Sequence, residues 1–382
     1  MIGRRQQVAL VLTAVLAAGA ACRNQQREDT GAQGHAAPSA GGFTLVASGD
    51  VLPHTSVIER AAYDADGDGY DFRPMLGGVQ PVVSGADLAL CHMETVYGAD
   101  GDYAGYPVFK SPPQIAGALA ATGYDGCSTA SNHALDDGAA GIRRTLDAMD
   151  EAGLRHAGTA RSEAEARLLT LFRAGRAKVA HLSYTFGTND NPLPDGQPWA
   201  VNLIDADRMV ADARAARQGG ADVVVVSVHW GTEWQEEPDR TQLTLAQQLT
   251  ASATNGHPDI DLILGTHAHV PQAYEKVNGT WVVYGMGDQI AGEMYDGQGV
   301  RDPRGNESTL GRFTFAPPAA PGEPWRVTRA EFIPQLYDLD AGRVLDVNKA
   351  IAQGAGLDAV RDRIRNVVLS RGAAEDGLVM GE

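Results

Sequence analysis

Seven short apolar runs, each stopped by glycine or polar residues, constrain the fold of this chain more than any other feature. They are FTLVASGD (43–50), ADLALCHME (86–94), GYDGCSTASNH (123–133), AKVAHLSYTF (177–186), ADVVVVSVHWG (221–231), IDLILGTHAH (260–269) and TWVVYGMGD (280–288). Short, apolar and bounded by breakers, they read as strands. Between them lie stretches with a helical period, SPPQIAGALAATG (111–123), GAAGIRRTLDAMDEAG (138–153), DADRMVADARAARQGG (205–220) and RTQLTLAQQLTASA (240–253). Strand-helix alternation with nearly continuous apolar strands predicts an α/β fold whose sheets are covered on both faces.

In such folds functional groups collect beyond the carboxyl ends of the strands, and this sequence places its unusual polar residues there. Read along the chain, strand ends present Asp50, Glu94, Asn132 with His133, His229, and His267 with His269. A lone histidine after a strand is more often a hydrogen-bonded loop residue, and a lone Asp a helix cap; it is the joint occurrence that carries weight. Carboxylates, neutral imidazoles and an Asn carbonyl form a donor set for divalent cations. Two cations about 3.5–4 Å apart can share a hydroxide and clamp the entering and leaving oxygens of a displacement. Residues two apart on an extended segment share one face, so His267 and His269 reach two neighbouring metals only if the strand end bends, and Gly265 is the residue that permits it.

The segments GDVLPH, ADLALCHMET, STASNHALDDGAAGIRRTLDAMDEAGL, VVVVSVHWGTEW and LILGTHAHVPQ, followed by VVYGMGD, carry a resemblance. In order, they resemble the motifs of the CapA capsule-synthesis (poly-γ-glutamate synthesis) family, within the calcineurin-like metallophosphatase superfamily. The resemblance runs from about Phe43 to Ile333. It implies a four-layer α-β-β-α sandwich in a single domain, and a centre of divalent metal ions, two of them, with Mn, Zn, Fe or Mg as candidates. By this resemblance Asp50, Glu94, Asn132, His229, His267 and His269 would be metal ligands, with Glu94 a bridge. His133 would act as a general acid oriented by Asp136, and Glu233 with Trp234 would line the substrate cleft; the plainer reading has Trp230 and Trp234 packing their loop.

Three positions depart from the family pattern. His92 stands in place of the Asn of Asn-Leu-Glu, Thr266 in place of a first closing histidine, and Asp288 in place of the Asn of Leu-Gly-Asn. His54, four residues after Asp50, is a weaker ligand candidate. DADGDGYDF (64–72) opens like a calcium loop, but Met75 occupies the twelfth position where an acid is required, so a solvated acidic turn is expected. Lys110, Arg143 and Arg144 read as solvated surface residues.

At the amino terminus Arg4 and Arg5 precede VALVLTAVLAAGAA and then Cys22. The run falls short of the roughly 20 apolar residues of a membrane span, so residues 1–22 read as a lipoprotein-type signal peptide with Cys22 the lipidated residue, ordinary secretion being the alternative. Residues 23–42 read as a flexible tether, 43–335 as the CapA-like domain and 336–382 as a C-terminal helical extension. The protein is thus expected on the outer face of the cytoplasmic membrane, in contact with it through a lipid anchor. Removing the signal removes two arginines and no acids, taking the formal charge from −17 to −19. So acidic a chain repels nucleic acid, and an anionic substrate would need a local cationic site such as bound metal. Nothing in the spacing shows that Cys91 approaches Cys127, and two buried thiols are expected.

Two functions of different kinds fit. One is a metal-dependent hydrolase acting on a phosphoester or on an amide-linked anionic polymer such as poly-γ-glutamate. The other is a non-catalytic accessory factor that works with membrane subunits of capsule synthesis or export. Metal-independent acid-base catalysis on a peptide by the same residues is a third reading.

Overall fold

The structure, a computed structural model, describes residues 41–320 and 322–382. The signal peptide, Cys22 and all but the last two tether residues lie outside the described residues. In chain order the strands are β1 (Phe43–Val51), β2 (Leu88–Met93), β3 (Val96–Tyr97), β4 (Lys110–Ser111), β5 (Gly126–Ser128) and β6 (Arg155–Ala157). They continue as β7 (Thr170–Ala174), β8 (Ala177–Thr185), β9 (Val223–His229), β10 (Ala253–Thr254), β11 (His257–Pro258) and β12 (Leu262–Thr266). The last are β13 (Tyr274–Val277), β14 (Thr280–Val283), β15 (Asp288–Ile290), β16 (Glu307–Ala316), β17 (Arg326–Asp338), β18 (Arg343–Asp346) and β19 (Leu378–Met380). The helices are α1 (Thr55–Asp64), α2 (Arg73–Leu76), α3 (Gln80–Val83), α4 (Gln114–Thr122), α5 (Gly138–Ala152), α6 (Glu163–Ala166), α7 (Ala206–Gln218), α8 (Arg240–Thr250), α9 (Val347–Ala352) and α10 (Asp358–Val368).

Two large sheets result. One runs β18-β17-β16-β1-β2-β5-β6, with β15 on β1 and β19 on β17; the other runs β13-β14-β12-β9-β8-β7. The seven runs singled out in the sequence become β1, β2, β5, β8, β9, β12 and β14, all in the parallel parts of the sheets.

Successive strand residues face opposite ways, and here both ways lead into a core. Leu45 and Ala47 of β1 meet Val223 and Val225 of β9 and Leu262 and Leu264 of β12 between the sheets. The alternate residues Val46, Ala89, Cys91 and Met93 pack outward on Val57, Ile115, Leu119, Leu146 and Met149 of α1, α4 and α5. Val224, Val226 and Ile263 pack outward on Met209, Ala213, Leu245 and Leu249 of α7 and α8. Three cores separated by two sheets make the expected helix-sheet-sheet-helix sandwich.

Local chemistry sets the helix ends. Asp205 caps α7 by accepting from the Arg208 N–H, and Asp239 with Gln242 forms a reciprocal capping box on α8. Helix α5 buries Ile142, Leu146 and Met149 along one stripe and stops at Gly153, whose φ of 79° a side chain would resist.

Two expectations are corrected. Cys91 and Cys127 form a disulfide rather than two thiols, because parallel β2 and β5 set them in register with Cα atoms 4.4 Å apart. The segment after 335 supplies more than helix. β17 crosses that boundary, β18 and β19 pair with it, and Ile364 and Val368 of α10 are buried in the core between the sheets. Of the acids in the turn only Asp66 and Asp68 are exposed; Arg60 and Arg343 bind the largely buried Asp64, and Arg73 binds Asp71.

Candidate metal centre

Strand register assembles the site. Asp50 lies opposite His92 on β2 and opposite Asp288 on β15, while His229, the last residue of β9, lies opposite Thr266, the last of β12. Glu94 follows β2, Asn132 follows β5, and His267 and His269 follow β12. Because these strands run parallel, their carboxyl ends meet on one edge and carry these side chains to one place.

The groups form three overlapping clusters of close donor atoms: Asp50, His92 and His229; Glu94, His267 and His269; and Asp50, His269 and Asp288. All are buried. The His92 Nε2 lies 3.5 Å from Asp50 Oδ1, His229 Nδ1 lies 3.7 Å from the same oxygen, and His229 Nε2 lies 3.7 Å from Glu94 Oε1. Asn132 Oδ1 is 2.9 Å from His229 Nε2.

What these atoms lack decides their fit to metal. Asp50 Oδ1, His92 Nε2, both Glu94 oxygens, His267 Nδ1 and Asp288 Oδ2 are buried without a hydrogen-bond partner. Unpaired buried polar atoms cost free energy and are rare in folded proteins, so six around one point mark a place made for something else. Carboxylate oxygens and imidazole nitrogens share an affinity for divalent cations, and the residues present fit them.

The electrostatics agree. Burial, then the Asp288 charge, pushes Asp50 up to about 8. Burial, then Asp50, pushes Glu94 well above the usual carboxylate range, and burial raises Asp288 too. Burial lowers His92 to about 3 and holds His229 and His267 well below 6.5, keeping these three imidazoles neutral as ligands must be. Burial also opposes a charge on His269, but Asp288, bonded to its Nδ1 at 3.0 Å, outweighs it and raises that group.

The bend after β12 has a different origin from the one expected. Gly265 is not the hinge; it is required because a Cβ there would lie 2.0 Å from the Tyr284 carbonyl and 2.5 Å from that of Val283. The turn is made by His267 and His269 themselves, at φ of 93° and 59°. Left-handed backbone at non-glycine residues costs about 1–3 kcal/mol each, and such strain persists where the surroundings enforce it. Here the His267 N–H donates to Asp50 Oδ2 at 3.1 Å.

His133 lies beside this centre. Its Nδ1 is 2.7 Å from Asp136 Oδ2, an oxygen that also accepts the Phe109 N–H at 2.7 Å. With Nδ1 so committed, Nε2 is the nitrogen left to His133, which lines a cleft of about 510 Å³ together with His269, Glu233 and Trp234. Trp234 thus walls the cleft, whereas Trp230 is buried and donates to the Tyr284 carbonyl, a packing role. His54 binds the Leu52 and Ala291 carbonyls through Nδ1 and joins none of the donor clusters.

The departures from the family pattern turn out to be contributions. His92 and Asp288, absent from the expected ligand set, are both members of the clusters. The signal was available, since each occupies a motif position where the family has Asn. Thr266 stands where the family pattern has a histidine, and its hydroxyl lies 2.9 Å from His229 Nδ1, so Nε2 is the nitrogen that would be left for a metal. Phe186 was missed altogether: half-exposed, it lies 4.5 Å from the His267 ring, and nothing in its local sequence marks it.

Residues 44–293 match the family described as bacterial capsule synthesis protein PGA_cap. The chain belongs to this family. A probable polyglutamine synthesis accessory protein of Mycobacterium tuberculosis is 27% identical over 315 residues, which cover 73% of this chain and 80% of that one. The capsule biosynthesis protein CapA of Bacillus anthracis is 26% identical over 176 residues, 45% of this chain and 41% of that one. A calcineurin-like phosphoesterase of Bacillus subtilis aligns at 16% identity with a TM-score of 0.47, covering 85% of this chain and 99% of that one. Among the described residues no helix is long and apolar enough to cross a membrane.

Proposed function

We propose that this PGA_cap-family protein is a metal-dependent hydrolase, held outside the cytoplasmic membrane by a lipid on Cys22, that cleaves a phosphoester or a related amide link. One observation carries the reading: six unpartnered buried donor atoms lie next to a histidine that lines a cleft. Asp50, His92, Glu94, Asn132, His229, His267, His269 and Asp288 would hold the divalent ions. When bound, these supply Lewis acidity and a nucleophile at neutral pH.

The chain's own residues do the rest. Asp136 accepts from His133 Nδ1–H, so the imidazolium form carries its second proton on Nε2; that proton passes to the leaving oxygen or nitrogen as its bond to phosphorus or carbon breaks, leaving neutral imidazole. Phe109 packs edge-on against the His133 ring at 4.7 Å and keeps it in place.

The test is hydrolysis of a phosphoester panel and of poly-γ-glutamate by metal-loaded protein, with and without chelator. His133→Ala should lower turnover by about 10²–10⁴-fold while metal content and circular dichroism stay at wild-type values. Full activity in that variant, or in chelated protein, overturns the reading.

The word accessory in the name of the mycobacterial relative favours a second reading, a metal-loaded binding module in capsule assembly. Stoichiometric metal with no turnover of any of these substrates would select it.

A further inference from the structure

The cleft over His133 and His269 has a composition that the hydrolase reading leaves unused. Its walls carry the aromatic rings of Phe109, Trp234, Tyr106 and Tyr295, the last two 76% and 53% exposed at the rim. Its charged residues other than histidine are Glu233, Glu293 and Asp296, and no lysine or arginine lines it. Arg304, whose neighbour Gly305 packs on Met294 and Trp234, is already bound to Asp302 and Glu236. Lys110 is bound to Asp102. Glu293 has no ion-pair partner among the described residues, and Asp296 uses one oxygen to accept the Gln298 and Val300 N–H groups, leaving the other free.

Charge complementarity follows. A polycarboxylate entering here would meet three carboxylates and no lysine or arginine. Glu233 lies 4.0 Å from His269 Nε2, but the exposed aromatic faces beside Glu293 and Asp296 match an ammonium group, attracted by the ring quadrupole and by these acids together. The neighbouring donor cluster has the opposite need, since with divalent ions in it an anionic group such as phosphate fits there. The two halves of the site therefore suit the two ends of a zwitterion, and His133 lines the cleft half.

Resting on the hydrolase reading, we propose that this cleft is the leaving-group subsite and that it selects a leaving group bearing a positively charged amine. The experiment compares monoesters whose leaving groups share a two-carbon chain and differ in charge: phosphocholine and phosphoethanolamine (positive), 2-hydroxyethyl phosphate (neutral) and 2-phosphoglycolate (negative). Metal-loaded wild-type protein should show kcat/KM falling in that order, by on the order of tenfold or more from the positive to the negative end, equivalent to about 1.4 kcal/mol. Glu293→Gln, at an exposed side chain, should narrow the ratio between the positive and neutral esters.

A second measurement does not depend on turnover. Calorimetric titration with choline chloride, against sodium chloride, should show saturable binding that weakens in Glu293→Gln. If choline binds in this way yet neither these esters nor the wider phosphoester panel and poly-γ-glutamate are cleaved, the ammonium site stands and the hydrolase reading falls. If the esters are cleaved at equal rates and choline does not bind, the subsite proposal is overturned and the hydrolase reading stands.

Discussion

Thr266 shows how much one hydroxyl decides at this centre. Its Oγ1 meets His229 Nδ1 at 2.9 Å, directing Nε2 toward Asn132 and Glu94. Thr266→Val keeps the shape and removes the hydrogen bond, so His229 is free to present the wrong nitrogen. Loss of such a supporting contact lowers metal affinity by about 10–100-fold, which a competition titration against a chromophoric chelator would read. An unchanged affinity would mean that packing alone orients His229. Asp136 supports His133 in the same way, and its second acceptor role toward Phe109 ties the general acid to the cleft wall.

At the scale of the element, the segment from β12 into the two histidines stores strain and needs a tight anchor. Gly265 supplies it by letting β12 approach the Val283 and Tyr284 carbonyls. Gly265→Ala puts a methyl group into backbone that cannot move aside, and overpacking of this kind costs about 1–3 kcal/mol. The chemical-denaturation midpoint should fall accordingly, and metal stoichiometry with it, because His267 and His269 hang from the displaced strand. A variant that loses stability but binds metal as wild type would show that the loop is positioned by Asp50 rather than by β12.

For the whole molecule, the buried charges predict a pH dependence. In metal-free protein burial and then the Asp288 charge push Asp50 up to about 8 from an ordinary 3.8, so between these pH values the folded state holds a proton that the unfolded state has lost. Stability then falls as pH rises across that window. His92, lowered from 6.5 to about 3, acts in the opposite sense, and its cost disappears once the pH exceeds 6.5. His269, raised well above 6.5, adds to the Asp50 effect. The net expectation is a Tm of metal-free protein that drops between pH 6.5 and pH 8. Mn²⁺ or Zn²⁺ should raise Tm more at the higher pH, because ligands must shed protons to bind. Scanning calorimetry of chelated and metal-loaded samples checks both; a metal-free Tm that climbs over this range refutes the assignment of buried carboxylates as the dominant groups.

The strands of the parallel cores and the helices between them were legible in the sequence because burial on both faces leaves a continuous apolar run and burial on one leaves a stripe. Asp50, Glu94, Asn132, His133, His229, His267 and His269 were legible for a related reason: parallel strands deliver their carboxyl ends to one edge. The antiparallel ladder of β16 and β17 carries no such continuous signal, and β18 and β19 join it after a helix-rich tail. The Cys91–Cys127 pairing, the conversion of His92 and Asp288 from departures into donors, the bend at His267 rather than Gly265, and the acidic aromatic cleft all rest on contacts between residues distant in the chain. Sequence by itself determined the strands and helices of the parallel cores, since there local pattern answers to local burial. Only tertiary structure decided which polar atoms were left facing one another without partners, since that depends on register between strands and on which neighbour reaches each atom first.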